Sequence, residues 1–148
     1  MSAPDLLYSE EEEALRAAVR DLLTDHCDVP GVIARTESDR PHDPELWKAL
    51  SDGMGLAGLL VPEVQGGQGA THREVAVVVE ELGRAVAPVP YLTSAVVATE
   101  ALLACGSDEA AELLTALASG RTIGALAVAL SAGPGASYKS VRHEDGTL

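Results

Sequence analysis

The stretch from Gly55 to Gly69, GLAGLLVPEVQGGQG, constrains the chain more than any other. It runs apolar, breaks at Pro62, and then sets Gly66, Gly67 and Gly69 between two strongly helical patterns. Those glycines allow positive φ and close backbone approach, so the chain can turn sharply there and re-enter a helix capped at Thr71. A glycine turn feeding a helix can also cradle a phosphate. The dinucleotide fingerprint, however, needs a further glycine opening the helix and an acidic residue roughly 20 positions on. Ala70, Thr71 and His72 follow Gly69 instead, and the region near Ala85 to Ala87 is apolar. A structural turn is the stronger reading.

Hydrophobic residues make up 47% of the 148, yet there is no Phe and only one Trp, so a core must be built from Leu, Val and Ala. Cores of that kind favour helices, and the length suits one domain. A net charge of −13 with only two lysines, Lys48 and Lys139, argues against a nucleic-acid or anionic-membrane surface. Cys27 and Cys105 belong to no metal or redox spacing, and no metal site is expected. With no leader pattern and no long uncharged apolar run, the expectation is a cytoplasmic protein that does not span a membrane.

Ser9 and Glu12 form a capping box, so a first helix starts at about Glu10 and ends near Cys27. Leu15, Ala18, Val19, Leu22 and Leu23 mark its buried face, and the acidic run Glu10 to Glu13 is read as solvated. Val32 to His42 reads as irregular. Asp43-Pro44 opens a second helix that carries Leu46, Trp47 and Leu50 inward and stops by Gly53 to Gly55. Thr71 and Glu74 form another capping box for a helix to about Ala87, with Val75, Ala76, Val78, Val79, Leu82 and Val86 inward. Arg73, Val77, Glu80 and Arg84 take its wet side, and Glu80 pairs with Arg84. Thr93 to Cys105 is apolar all round except for Glu100, the pattern of a buried helix or of a wall beside an apolar ligand. Ser107 caps a helix over Asp108 to Ser119, with Leu113, Leu114 and Leu117 in one stripe and Gly120 at its end. The pattern then changes to a strand over Thr122 to Leu130, a loop from Ser131 to Ser137, a β-prone piece around Tyr138 to Val141 and a turn at Glu144 to Gly146.

The order of these pieces resembles the N-terminal helical domain of an acyl-CoA dehydrogenase. The resemblance rests on Ser9 to Leu23, Trp47-Lys-Ala-Leu, Gly55 to Glu63 with Gly66-Gly-Gln-Gly69, Glu80-Glu-Leu-Gly-Arg84 with Ala87-Pro-Val-Pro90, and Leu117-Ala-Ser-Gly120. It implies a mainly α fold: a five-helix domain over residues 1–121, then the beginning of a middle β domain, incomplete, over 122–148. The activity it implies is desaturation of an acyl-CoA thioester by a flavoprotein that uses FAD and passes electrons to an electron-transfer flavoprotein or similar acceptor. The helix from Thr93 resembles the family's pocket-lining helix, which makes Leu92, Thr93, Val96 and Val97 candidates for contact with the acyl group. The family's Thr-Glu-Pro loop does not match Val128-Ala-Leu-Ser-Ala-Gly-Pro-Gly-Ala-Ser137, where Ser131 and Ser137 are the hydroxyls present. No catalytic base is assigned in this chain.

Three readings follow: part of a dehydrogenase that contributes one wall of the acyl pocket, a non-catalytic interaction subunit of a heteromeric dehydrogenase, or an unrelated helical scaffold that binds another helix. An unfinished sheet leaves a strand edge open, so a homo- or hetero-oligomer is expected.

Overall fold

A computed structural model describes residues 7–128 together with Gly133 and Gly135. Among the described residues the architecture is helical, with α1 Glu10–His26, α2 Val29–Thr36, α3 Pro44–Lys48, α4 His72–Arg84, α5 Thr99–Cys105 and α6 Asp108–Ala118. A π-helical turn, Ala49–Gly53, extends α3, and a longer π-helical segment, Tyr91–Ala98, runs directly into α5. Helix α1 packs along α4, and α5 along α6. The main core joins Val19 and Leu23 of α1, Leu46, Trp47 and Leu50, Leu56 and Leu60, Val78 and Leu82 of α4, and Tyr91 and Ala95.

Both expected capping boxes form. Ser9 accepts from the Glu12 amide while the Ser9 amide donates to Glu12, and Thr71 and Glu74 make the reciprocal pair at α4. Asp43 caps α3 by accepting from the Glu45 and Leu46 amides. Trp47 is buried and its indole N–H donates to the Gly120 carbonyl at 2.7 Å. Gly120 has φ +67°, and a Cβ there would lie 2.3 Å from Ser51 Cβ, so glycine is required where α6 meets the π turn.

Several expectations are corrected. Val32 to His42 is not irregular throughout, because α2 occupies Val29–Thr36. Pro30 lies in its first turn, where the missing N–H removes no helical hydrogen bond. Glu12 is 3% exposed and not solvated, because Arg73 of α4 covers it. Ala18 is exposed. Val77, expected on the wet side, is fully buried, and Ala76 is exposed. The reason is that α4 packs against both α1 and the π-helical segment, so two of its faces are covered. Glu80 bonds Arg16 at 3.0 Å and Arg84 reaches Glu81 at 3.3 Å, which replaces the Glu80–Arg84 pair.

Helix α4 also stops earlier than Ala87. The Val86 amide donates to Gly83 and the Ala87 amide to Leu82, a Schellman closure with Val86 at φ +50° in the position glycine usually takes. Leu113 is half exposed, leaving Leu114 and Leu117 as the buried stripe of α6. Residues 122–128 form no strand. A strand needs a ladder partner, and this segment instead ties its Gly124 amide to the Ser94 hydroxyl at 3.0 Å. The loop from Ser131, the piece around Tyr138 and the turn at Gly146 lie outside the described residues, apart from the two glycines.

Candidate functional site

The glycine turn binds itself. The amides of Gly66, Gly67, Gln68, Gly69 and Ala70 donate to the carbonyls of Glu63, Pro62, Gly58, Val61 and Leu59. A Cβ on Gly67 would sit 2.0 Å from the Val61 carbonyl oxygen, which explains the residue by packing alone. With its donors spent, the turn offers no cradle for a pyrophosphate. The glycine turn therefore does not fit the pyrophosphate of a flavin dinucleotide.

The buried carboxylates are equally committed. Glu81, 1% exposed, is held by Arg20, Arg84 and Arg16, and the Arg20 hydrogen bonds in particular keep its carboxyl below the usual range. Glu12 accepts from Arg73 and from the Ser9 amide, which lowers it to about 2. Carboxylates held ionised by arginines are poor proton acceptors at neutral pH. Glu100 lies at a helix edge, half exposed, against His72 at 2.8 Å. Among the described residues no group of His, Cys, Asp or Glu has the arrangement of a metal site.

The π-helical segment is built the other way round from a simple core helix. Its inward residues are Tyr91, Ser94, Ala95 and Ala98, mostly small. Two of its larger aliphatic residues face outward, Leu92 at 56% and Val97 at 40% exposed; Thr93 is exposed, whereas Val96 is half-buried and packs against the main core. The four expected contact residues thus share one short segment, but the buried helix expected over Thr93 to Cys105 is covered on one side only. The Thr99 hydroxyl donates to the Ser94 carbonyl, a five-residue reach that suits the wider π turn. Alongside, the segment carrying the exposed Ile123, Leu126 and Val128 crosses at Gly124, where a Cβ would meet Ala98 at 2.9 Å.

Two clefts open near the C-terminal end of α4. The larger, about 670 Å³, lies between α1, α2 and α4 and includes Leu23, Cys27, Val32, Ile33, Arg84 and Val86. The smaller, about 410 Å³, is lined by Val79, Leu82, Gly83, Val89, Tyr91 and Leu92 among others. Of the four expected residues, Leu92 lines one of these two clefts. Tyr91 escaped the sequence reading, because it follows Pro88 and Pro90, a breaker signal that hides a helix start.

The family described as acyl-CoA dehydrogenase, N-terminal domain, matches residues 9–121. Acyl-CoA dehydrogenase IpdE2 of Mycobacterium tuberculosis is 43% identical over 117 residues, which cover 79% of this chain and 36% of that protein. IpdE2 of Mycolicibacterium smegmatis is 42% identical over 116 residues, 78% of this chain and 36% of its own length. Among solved structures, the ChsE4–ChsE5 complex from Mycobacterium tuberculosis superimposes with a TM-score of 0.73 at 30% identity, over 81% of this chain and 33% of that one. A variant of the Tcur3481–Tcur3483 steroid ACAD gives 0.69 at 35% identity, over 77% and 31%. The chain spans about a third of the length of the curated relatives it matches.

Proposed function

The chain belongs to the acyl-CoA dehydrogenase family, and on that premise we propose that it supplies one wall of the acyl pocket in a flavin-dependent desaturation of an acyl-CoA thioester. The observation that carries this reading is the inverted π-helical segment, with small residues inward and Leu92 and Val97 turned outward. Apolar side chains left on an open face call for an apolar neighbour. In this reading Leu92, Thr93, Val96 and Val97 touch the hydrocarbon part of the substrate. FAD, the base and the acceptor, an electron-transfer flavoprotein or its equivalent, belong to other segments or subunits of a cytoplasmic enzyme.

A heteromeric assembly is favoured by relatives that are named as two-component systems. The name of one of them further points to a steroid-derived acyl group.

The test is reconstitution with the remainder of the dehydrogenase, followed by acyl-CoA-dependent bleaching of flavin absorbance. Val97→Trp should lower the rate with bulky acyl-CoAs about tenfold or more, as expected when ~1–3 kcal/mol of overpacking is imposed, and spare short ones. Unchanged acyl preference in that variant, or failure to associate with any flavin-binding subunit, would overturn the proposal.

A further inference from the structure

Helix α2 turns one side to open space. Val29, Val32, Ile33 and Thr36 recur at i, i+3, i+4 and i+7 and together line the larger cleft. Val29 is 70% and Ile33 53% exposed, and α2 alone among the described α-helices buries none of its residues. Eight residues are too few for a helix to hold in water by itself, so such a stripe calls for a cover. Thr36 and Val86 line both clefts, which makes the two one continuous groove. Val86 keeps a strained left-handed backbone while its side chain stands 69% exposed. An exposed side chain does little for the isolated fold, whereas a partner seated in the groove would touch it.

One wall of the groove is cationic. Arg20 donates to both oxygens of Glu81, Arg16 lies 3.7 Å from it, and Arg84 reaches it through Nε at 3.3 Å, so three guanidinium groups converge on one carboxylate. Arg16 goes on to Glu80, but among the described residues Arg84 has no second anionic partner, and its side chain is 61% exposed. Arg20 and Arg84 line the larger cleft, and Glu81 and Glu37, the C-cap of α2, are its carboxylates. With Glu81 already shared, Arg84 offers a cation at the α4 wall of a chain whose net charge is −13. Exposed aliphatic residues along both edges suit a row of side chains laid over the groove more than a small molecule enclosed by it.

We propose that this groove docks an amphipathic helix of a second protein chain, whose aliphatic residues at i, i+3, i+4 and i+7 enter between α2 and Val86 and whose flanking carboxylate pairs with Arg84. The larger cleft, about 670 Å³, has room for several aliphatic side chains. It contains none of Leu92, Thr93, Val96 and Val97, so the docking stands or falls apart from the acyl-wall reading.

Fluorescence polarisation of a labelled helical peptide, titrated with the full 148-residue chain, is the test. One probe carries leucine at those spacings and glutamate on both flanks, and a second replaces every glutamate with lysine. The glutamate peptide should bind saturably and more tightly, against the pull of the chain's overall charge. Arg84→Glu should weaken it roughly three- to tenfold and Ile33→Asp about tenfold or more. Melting temperatures of both variants should stay near that of the parent chain, because both side chains are more than half exposed. Val86→Gly should weaken binding about threefold or more while the fold becomes more stable, a combination that a purely structural valine would not give. No saturable binding of the glutamate peptide, a lysine peptide bound as tightly, or undiminished binding in Val86→Gly overturns the proposal. Should Ile33→Asp unfold α2, Val86→Gly decides. Retention of the chain by phosphatidylglycerol vesicles, lost in Ile33→Asp, assigns the groove to a lipid surface and overturns it as well.

Discussion

Val86 sets a valine where a Schellman closure ordinarily has glycine, with its side chain 69% exposed. A side chain in the left-handed region costs about 1–2 kcal/mol, and glycine returns about 0.5–1 of that as unfolded-state entropy. Val86→Gly is therefore expected to stabilise the chain by roughly 0.5–1 kcal/mol, read from denaturant midpoints. Gly120→Ala should do the reverse. It adds the left-handed penalty to a Cβ set 2.3 Å from Ser51, which together amount to about 2–4 kcal/mol. The two substitutions share a conformational class and differ in sign because only one is packed. Neither was legible in the sequence: Val86 looks like the end of an apolar stripe, and Gly120 like an ordinary helix stop. Ser9 with Glu12 and Thr71 with Glu74 were legible, because a capping box is closed by residues three apart and needs no tertiary knowledge.

At the level of elements, α1 and α4 are joined by two buried carboxylates that local pattern could not find. Glu12 sits in an acidic run and Glu81 beside an acidic neighbour, and what buries each is an arginine 61 residues away. The same distance effect hid Val77, since only a helix covered on two faces turns that position inward. The folded carboxyl of Glu12 lies at about 2 against an ordinary 4.5, because Arg73 and the Ser9 amide favour the anion. A depressed carboxylate stabilises fully above the ordinary value and loses that contribution as pH falls toward the folded one. The melting temperature should accordingly hold level above about pH 4.5 and decline from there toward about pH 2. Glu81, lowered chiefly by its Arg20 hydrogen bonds, acts in the same direction. Glu12→Gln should lower the neutral-pH melting temperature and flatten part of the acid slope. A melting curve equally steep in wild type and variant would remove Glu12 from the account.

For the whole molecule, the outward set Leu92, Val97, Ile123, Leu126 and Val128 contrasts with a net charge of −13. Charge of one sign disperses a chain, whereas an apolar face gathers it. The 148-residue chain is expected to self-associate reversibly when no partner covers that face, and salt should strengthen the association by screening the repulsion. Leu92→Glu combined with Val97→Glu should give a monomer in sedimentation velocity with unchanged helical circular dichroism. A wild-type chain that stays monomeric at every concentration and salt would contradict this. The helical class was legible from alanine, leucine and valine periodicity, as was the inward tryptophan. The turning of Leu92 and Val97 toward the outside was not, since a helix apolar all round gives no phase by which to orient it.

The indole of Trp47 donates to a carbonyl 73 residues further along the chain. On a ribosome that acceptor leaves the exit tunnel 73 residues after Trp47, so the indole waits that long for the contact that seals it. Closure of that loop costs less once the α1–α4 pairing, which spans a similar 61 residues, has reduced the freedom left to lose. Fluorescence of this one indole therefore times the arrival of α6. Nascent chains released before Gly120 should emit like a solvated tryptophan, and those released after it like a buried one.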